Sequence, residues 1–427
     1  MAVHVARLAL GARLANRGRL LPLAALFLFG LVWLFLPRFG VANSPHRYRG
    51  LDDLRDIFNA TLGFEEIFVI SSAARSDRRD GIILGAALSE VRIKLLDGAN
   101  ASQLDDMHAV IPPVEVDKRL KGANLGAFRS HINVMQETSR IVQRNLTSVL
   151  VLEDDADWDV RIRTQLRDFA LSTRALIQPL ASRGSSSRYA DATFPEPGPD
   201  SHTDPEAPPP PPIHLGRLPA TIKPSVSPYG DGWDMLWLGH CGQYIPAHIS
   251  TADSQRVPKG RVVHGSDETV PPRERLWAFA NPFHLVEKYP AQTRVVHHSL
   301  TGTCTQAYAM SQAGARKILS EVALKPAEIP FDLALRAYCE GRIGPNKNLC
   351  LTVSPSLIGQ FRTIGPEGGA SIINPDGNDK RYRLKGATDL IRMSVRVNKD
   401  VILGGYQREY IDQYEEEAAG RPMNQFA

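Results

Sequence analysis

Apolar residues recur along this chain in short runs separated by amphipathic stretches, which is the pattern of strands that alternate with helices. Ile67–Ile70, Val91–Leu96 and Ser148–Leu152 predict strands, because each run is short and carries aliphatic and β-branched residues. Helical spacing lies between the first two strands and again over residues 124–145, ahead of the third. This alternation predicts an α/β fold whose sheet has parallel character.

The same pattern continues in the second half of the chain. Trp233–Leu238 and Leu351–Val353 predict further strands, and Ser311–Glu321 has helical spacing. Between the two halves, residues 182–230 are rich in Pro, Ser, Gly and Asp and bury too little apolar surface to order themselves. We expect a disordered Pro-rich insertion within a single domain, because strand-like sequence resumes directly after it. A boundary between two domains is the alternative.

The N-terminus carries a different signal. Leu20–Leu36 holds no charged residue and is flanked by Arg19 and Arg38, as expected of a short transmembrane segment. Arginines without acids precede it, which favours a cytosolic N-terminus and a lumenal body. A cleaved signal peptide ending near Gly40-Val41-Ala42 is the alternative. Either reading sends the body of the chain into the secretory route, and a short span suits the thin membranes of the ER or Golgi.

These signals divide the chain into five parts: a cytoplasmic tail at 1–19, a membrane anchor at 20–36, a stem at 37–60, a folded domain at 61–385 and a C-terminal extension at 386–427. The order predicts a single-pass type II protein of the Golgi or ER membrane. The chain is 43% hydrophobic and 22% charged, as expected of a globular body. Its net charge of +4, without a long basic run, argues against a nucleic-acid partner.

Sequons and cysteines agree with a lumenal body. Acceptor sequons for N-glycosylation begin at Asn59, Asn100 and Asn145. In an oxidising compartment the four cysteines permit two disulfides. We expect Cys339 to pair with Cys350, which closes a short loop, and Cys241 with Cys304; four free buried thiols are the alternative.

The largest cluster of acidic residues follows the strand predicted at Ser148–Leu152. Five acids stand there in close succession: Glu153, Asp154, Asp155, Asp157 and Asp159. A strand that ends in carboxylates delivers negative charge to the carboxyl edge of the sheet, where open α/β sheets bind ligands. Like charges repel each other, so a divalent cation that holds a phosphorylated substrate is one interpretation. A solvated acidic turn is the other, and the run alone does not decide between them.

Two polar segments accompany the predicted strands. Arg75-Ser76-Asp77-Arg78-Arg79 follows the first strand and either holds phosphate or forms a solvated charged turn. Gly126-Ala127-Phe128-Arg129-Ser130-His131 combines small and polar residues. Ser130 would cap a helix or bind a ligand, and His131 would be either catalytic or structural.

Taken in order, these segments resemble a known family. The series is Val69-Ile70-Ser71, Arg75, Asp77-Arg78-Arg79, Gly126 with Ser130-His131, Leu150–Ala156, Trp233-Asp234, Leu236–Gly239, Thr305 with Ala307-Tyr308, Ser311, Gly314-Ala315 and Pro330-Phe331-Asp332. It is similar to glycosyltransferase family 25, the family of lipopolysaccharide-type sugar transferases and collagen galactosyltransferases, and most of all to fungal members. The resemblance covers about residues 64–375, with Ser71-Ser72 where the family usually has Asn-Leu.

The resemblance implies a GT-A-like nucleotide-binding sheet, a UDP-sugar donor, a glycan or glycoprotein acceptor, and Mn²⁺ or Mg²⁺. By the same match Asp155 and Glu153 would bind the metal, and Asp154 the ribose or donor sugar. Arg75, Arg78, Ser130 and His131 would surround the donor. Asp332 would be the carboxylate base of an inverting reaction, or the N-cap of a helix. Two alternatives to a transferase are a carbohydrate-binding or scaffold protein on a degenerate fold, and a metal-dependent phosphoesterase.

Overall fold

The computed structural model describes residues 54–100, 120–140, 146–182, 188–195, 209–276, 283–325, 327–344, 348–366, 382–406 and 409–415. The chain divides into two units, Met1–Arg49 and Gly50–Ala427, and every described residue belongs to the second. The predicted cytoplasmic tail and anchor, and most of the stem, lie outside the described residues. Among those that are described, no helix is both long enough and apolar enough to cross a membrane.

Strands and helices alternate along the described ranges. The strands are β1 (Glu66–Ser71), β2 (Lys94–Asp97), β3 (Ser148–Glu153), β4 (Ala156–Trp158), β5 (Ile213–His214), β6 (Met235–Gly239), β7 (Arg261–His264), β8 (Arg294–His298), β9 (Ala307–Ser311), β10 (Cys350–Ser354), β11 (Ile358–Arg362), β12 (Gly365–Pro366), β13 (Tyr382–Arg383) and β14 (Ala387–Thr388). The α-helices are α1 (Ser76–Leu88), α2 (Gly122–Arg140), α3 (Ile162–Ile177), α4 (Phe283–Lys288), α5 (Gln312–Ile318), α6 (Phe331–Cys339) and α7 (Lys399–Leu403).

A nine-stranded mixed sheet forms the centre of the fold. Its order is β2-β1-β3-β9-β6-β10-β8-β7-β5. β1 pairs parallel with β2 and β3, and β6 pairs parallel with β10, while β9 and β8 run antiparallel to their neighbours. The α/β prediction is confirmed in this form, a large sheet with parallel and antiparallel strands that fits a GT-A-like architecture.

Alternate residues of the strands supply two apolar layers, one on each face of the sheet. In β3, Leu150 and Leu152 belong to the layer that includes residues of α1 and α3. Val149 and Val151 belong to the layer that includes residues of α2, α5 and α6. This period of two is the sequence signature of a strand buried on both faces. Such burial makes β3 a fixed base for the acids that follow it.

A second, three-stranded sheet begins where β3 ends. Its order is β14-β11-β4, and both pairings are antiparallel. Only Asp154 and Asp155 separate β3 from β4, so the acidic run turns the chain from the large sheet into the small one. Part of the small sheet comes from residues beyond 385, which we expected to form a separate extension. Thr388, Ser394 and Arg396 of this part instead form hydrogen bonds with the segment that carries the acids.

The insertion expected to be disordered over 182–230 is ordered wherever the structure describes it. β5 adds to the edge of the large sheet by pairing with β7. Asp191 is buried and accepts hydrogen bonds from the backbone of Thr193 (2.8 Å) and Gly260 (3.1 Å). Composition underestimates this order because hydrogen bonds to the neighbouring sheet hold the segment, rather than a large apolar core of its own.

Disulfides join Cys241 to Cys304 and Cys339 to Cys350, the same pairs that we expected from the sequence. Two of the predicted sequon asparagines, Asn59 and Asn100, are exposed, and Asn145 lies outside the described residues. Their glycosylation stays a prediction.

Candidate active site

The acidic run lies at the carboxyl edge of the large sheet. Because β1 and β3 pair parallel, they end at the same edge. Helix α1 begins just after β1, and its first turn brings Arg78 to the acids that follow β3. The position is the one at which open α/β sheets bind ligands.

Arg78 bridges two carboxylates at this edge. Its Nη1 lies 2.9 Å from Asp155 Oδ2 and 3.2 Å from Asp154 Oδ1, and the side chain is 17% exposed. Asp154 Oδ2 accepts a hydrogen bond from Ser71 Oγ at 3.0 Å. Burial and the charge of Asp155 raise the pKa of Asp154, while Arg78 and Ser71 oppose that rise. The arginine therefore acts as the counter-ion of a buried acidic pair.

The two carboxylate oxygens of Asp155 differ in their hydrogen-bond partners. Its Oδ2 pairs with Arg78 and accepts a hydrogen bond from Gln360 Nε2 at 2.9 Å. Its Oδ1 is buried and has no hydrogen-bond partner among the described atoms. A buried carboxylate oxygen without a donor is costly, so this atom marks a place where a cation would be stabilising.

Glu153, the first acid of the run, contacts Thr305 and His131. Its Oε1 accepts a hydrogen bond from Thr305 Oγ1 at 2.7 Å and lies 3.9 Å from His131 Nε2. Burial raises the pKa of Glu153 to about 8, and the charges of Asp155, Asp154 and Asp332 add to the rise. A carboxyl group of this kind gains from any cation that arrives beside it.

Asp332 stands near Glu153 in the first turn of α6. Its Oδ2 accepts a hydrogen bond from the backbone N–H of Cys304 at 2.8 Å, and its Oδ1 from that of Leu333 at 2.9 Å. The side chain of Asp332 therefore holds the loop that follows β8 against helix α6. It is not the N-cap, which is Pro330 and makes no side-chain cap.

Ser130 and His131 are buried in α2. Ser130 Oγ donates to the carbonyl of Gly126 at 2.7 Å and accepts from the N–H of Ala99 at 2.8 Å. His131 Nδ1 lies 3.0 Å from the hydroxyl of Tyr308, its ring stacks on Phe331, and burial lowers its pKa to about 3. Both side chains thus stabilise the packing behind the acids, and neither lines the cavity described below.

Two of the five acids are structural. Asp157 is 1% exposed, and its Oδ2 accepts hydrogen bonds from the hydroxyls of Thr388 (2.5 Å) and Ser394. Asp159 is 0% exposed and pairs with Arg161, Nε to Oδ1 at 2.7 Å. These two carboxylates fix the C-terminal segment to the strand that follows the acidic run, so the solvated-turn interpretation is wrong for them.

A cavity of about 230 Å³ opens beside Asp155. One wall is α1, the opposite wall is the end of β11 with the residues after it, and Arg396 and Lys399 complete the lining. Arg396 Nη2 donates to the carbonyl of Asp154 at 2.9 Å, and its guanidinium lies 5.2 Å from the ring centroid of Phe361. The wall of α1 is flat there, since a Cβ on Gly81 would stand 3.0 Å from Arg396 Nη1.

Positive charge dominates the lining. Five cationic side chains face two acidic ones, namely Arg75, Arg78, Arg362, Arg396 and Lys399 against Asp77 and Asp155. Several of the cations are themselves held in place: Arg75 Nη2 pairs with Asp77 at 2.6 Å, and Arg362 Nε with Asp389 at 3.0 Å. A cavity of this size with excess guanidinium groups suits an anion such as a diphosphate.

The residues at the acidic run fit a divalent cation of the Mn²⁺ or Mg²⁺ type. Within the described part of the chain, no group of three or more His, Cys, Asp or Glu side chains converges as a ready-made metal site. Mg²⁺-type ions in phosphate-binding sites, however, usually take one or two carboxylates and complete their shell with water and substrate phosphate. Asp155, through its unpartnered Oδ1, and Glu153 supply carboxylates of that kind.

An α/β sheet with clustered carboxylates at its carboxyl edge and a cationic cavity beside them fits a GT-A-like architecture. Comparison with known proteins names the family: residues 64–187 match the family described as glycosyltransferase family 25 (LPS biosynthesis protein). The match confirms the resemblance for this part of the chain. It carries Arg75, Arg78 and the acids that follow β3.

Curated relatives match over a similar length. Procollagen galactosyltransferase 1 of Danio rerio is 34% identical over 116 residues, and procollagen galactosyltransferase 2 of Homo sapiens is 30% identical over 114 residues. The inactive glycosyltransferase 25 family member 3 of Homo sapiens is 31% identical over 114 residues. Each match covers 25% of this chain and 18–19% of the relative, so the chain spans about a fifth of the length of these proteins.

Sequence reasoning missed one whole wall of the cavity. Gln360, Arg362, Arg396 and Lys399 lie in loop-rich sequence without strong periodicity, and the last two fall in the expected extension. One signal was available: Gly81 and Gly85 stand one turn apart in a predicted helix, and glycines so spaced indicate the close approach of another group.

Proposed function

We propose that this protein is a metal-dependent glycosyltransferase that moves a sugar from a UDP-sugar to a glycan or glycoprotein acceptor in the secretory pathway. The observation that carries the proposal is the unpartnered, buried Oδ1 of Asp155 at the wall of a cationic cavity. The family match over residues 64–187 supports the same reading. Relatives named procollagen galactosyltransferases make a galactosyl donor the first to test.

The roles of the residues follow from the charges. Asp155, with Glu153, would hold Mn²⁺ or Mg²⁺, which when bound neutralises the diphosphate of the leaving UDP. The guanidinium groups of Arg75, Arg78 and Arg396 would bind phosphate oxygens in the cavity. Asp154 is anchored by Ser71, which would orient it towards the ribose or the donor sugar.

In the transfer, the bond between the anomeric carbon and the UDP oxygen breaks, and an acceptor hydroxyl oxygen bonds to that carbon. The hydroxyl proton passes to a base. For an inverting reaction Asp332 is our candidate, since it is near enough to Glu153 for its charge to raise the pKa of that group. Its hydrogen bonds to the N–H groups of Cys304 and Leu333 would fix its position.

A screen of nucleotide sugars for Mn²⁺-dependent hydrolysis by the full-length protein tests the proposal. A transferase releases free sugar and UDP from one donor, and Asp155→Asn abolishes the reaction. Asp97→Asn is a matched control, because Asp97 is an exposed acid that pairs with Arg79 outside the cavity. A phosphoesterase would release sugar phosphate and UMP instead. A scaffold would show no Mn²⁺-dependent binding of any UDP-sugar, and either result would overturn the proposal.

A further inference from the structure

We propose that Arg78 and the divalent cation are alternative partners of Asp155, so that Arg78 passes from the acids to the donor's diphosphate when metal and donor bind together. The inference rests on the proposed function. It makes Arg78 the residue that couples the binding of the metal to the binding of the donor.

The starting point is the set of bonds that Arg78 makes. One nitrogen, Nη1, contacts both Asp154 and Asp155, at 3.2 Å and 2.9 Å. All three side chains are largely shielded from water, with exposures of 17%, 9% and 6%. A guanidinium held in this way already balances the acidic pair, so a cation at Asp155 would meet a positive charge within a few ångströms in a poorly screened place.

The second step is that the cavity offers Arg78 a second place to bind anionic groups. It lines the cavity, where Arg75, Arg396 and Lys399 gather positive charge with no comparable number of acids. A diphosphate in that cavity would offer Arg78 new anionic oxygens, and guanidinium groups bind phosphate bidentately. The donor would thus draw Arg78 away from Asp155 and free the carboxylate for the cation.

The third step is that the other contacts of the acids remain when Arg78 moves. Ser71 still donates to Asp154, and Gln360 still donates to Asp155. The carboxylates therefore keep their orientation without the arginine. Arg78 acts on the affinity of the site for the cation, rather than on its shape.

This arrangement predicts positive coupling between Mn²⁺ and UDP. Each ligand raises the affinity for the other by the same factor, because linkage is reciprocal, and we expect a factor of about 10 or more. Arg78→Gln should tighten the binding of Mn²⁺ alone by about 10-fold, weaken the binding of UDP at saturating Mn²⁺, and reduce the coupling. Arg78→Lys keeps the charge and should bind Mn²⁺ alone as weakly as the wild type.

Arg79→Gln is the matched control. Arg79 is the next residue of the same helix and carries the same charge, but it pairs with Asp97 at 2.6 Å and with the carbonyl of Ser71 at 3.2 Å. The substitution should leave the binding of Mn²⁺ and UDP unchanged. Free Mn²⁺ measured by electron paramagnetic resonance, with and without UDP, gives all of these affinities on the full-length protein.

Three results would overturn the inference while leaving the proposed function in place. They are independent binding of Mn²⁺ and UDP to the wild type, an Arg78→Gln variant that binds Mn²⁺ no more tightly than the wild type, and one that binds it more weakly because Arg78 merely orients the acids. If Arg78→Gln fails to fold, independent binding of the two ligands to the wild type still overturns the inference. A wild type that binds neither Mn²⁺ nor UDP overturns both proposals.

Discussion

Replacing Asp157 and Asp155 separately should divide the acidic run into a structural pair and a functional set. Asp157 is buried, and its Oδ2 accepts the hydroxyls of Thr388 and Ser394. Asp157→Ala removes the acceptor for both hydroxyls, which keep only the longer hydrogen bond of 3.3 Å from Thr388 to Ser394 as a place to donate. Asp155→Asn keeps the side-chain volume and an oxygen for Gln360, while it removes a negative charge beside Asp154.

The expected magnitudes differ between the two sites. A hydrogen bond to a charged group contributes about 1.5–3 kcal/mol, so the loss of two would cost up to about 6 kcal/mol. Burial raises the pKa of Asp157, which shows that the folded state also pays to hold that carboxylate charged. We therefore expect Asp157→Ala to lower the free energy of unfolding by about 3 kcal/mol, which lies at the lower end of that range. For Asp155→Asn the loss of the Arg78 pair is offset by weaker repulsion between acids, and we expect a change within about 1 kcal/mol.

Urea unfolding followed by tryptophan fluorescence gives the stabilities, and calorimetric titration of UDP with Mn²⁺ gives the binding. We expect Asp157→Ala to unfold at lower urea concentration and to bind UDP within 10-fold of the wild type at low temperature. Asp155→Asn should show the reverse, a nearly unchanged midpoint with no Mn²⁺-dependent binding. The reasoning is refuted if both variants lose stability equally, or if Asp157→Ala unfolds at the wild-type midpoint.

Three further predictions follow from the same contacts. Burial lowers the pKa of His240 to about 4, so its neutral ring stabilises the fold above pH 6.5, and that contribution is lost as the pH falls towards 4. His240→Gln should therefore flatten this part of the curve of unfolding free energy against pH. An unchanged curve would contradict the prediction. A chain that ends at residue 385 lacks the donors to Asp157 and should fail to fold cooperatively, as judged by circular dichroism melting. Lys399→Ala should weaken UDP binding several-fold because Lys399 lines the cavity. The melting temperature should stay unchanged because the side chain is exposed. An unchanged affinity for UDP would show that Lys399 is not part of the donor site.

Periodicity predicted the elements around the acidic run. The strands expected at Ile67–Ile70 and Ser148–Leu152 are β1 and β3, and the one expected at Trp233–Leu238 is β6, shifted by a residue or two. These runs are apolar because both faces of the strands are covered, and burial on both faces leaves an unambiguous signal. The acids at the end of β3 were equally visible, although the run alone did not separate a metal site from a solvated turn.

The remaining parts of the site were not visible for a physical reason. Asp155 and Asp157 look alike in the sequence, but only the contacts made from residues 360–396 divide them into a ligand candidate and a structural acid. Those contacts join residues about 200 positions apart, and no local propensity encodes such distances. The contacts made from the predicted C-terminal extension were not visible for the same reason, because short strands such as β14 carry almost no periodicity.

One wall of the cavity lies within the family match, and the other lies outside it. The family match ends at residue 187 and includes one wall, α1 with the acids after β3. The other wall comes from β11 and the residues after β14, and it supplies Gln360 to Asp155 and Arg396 to the backbone of Asp154. The proposed transfer needs both walls, and substitutions in the second wall test it independently of the family match, which stops before that wall.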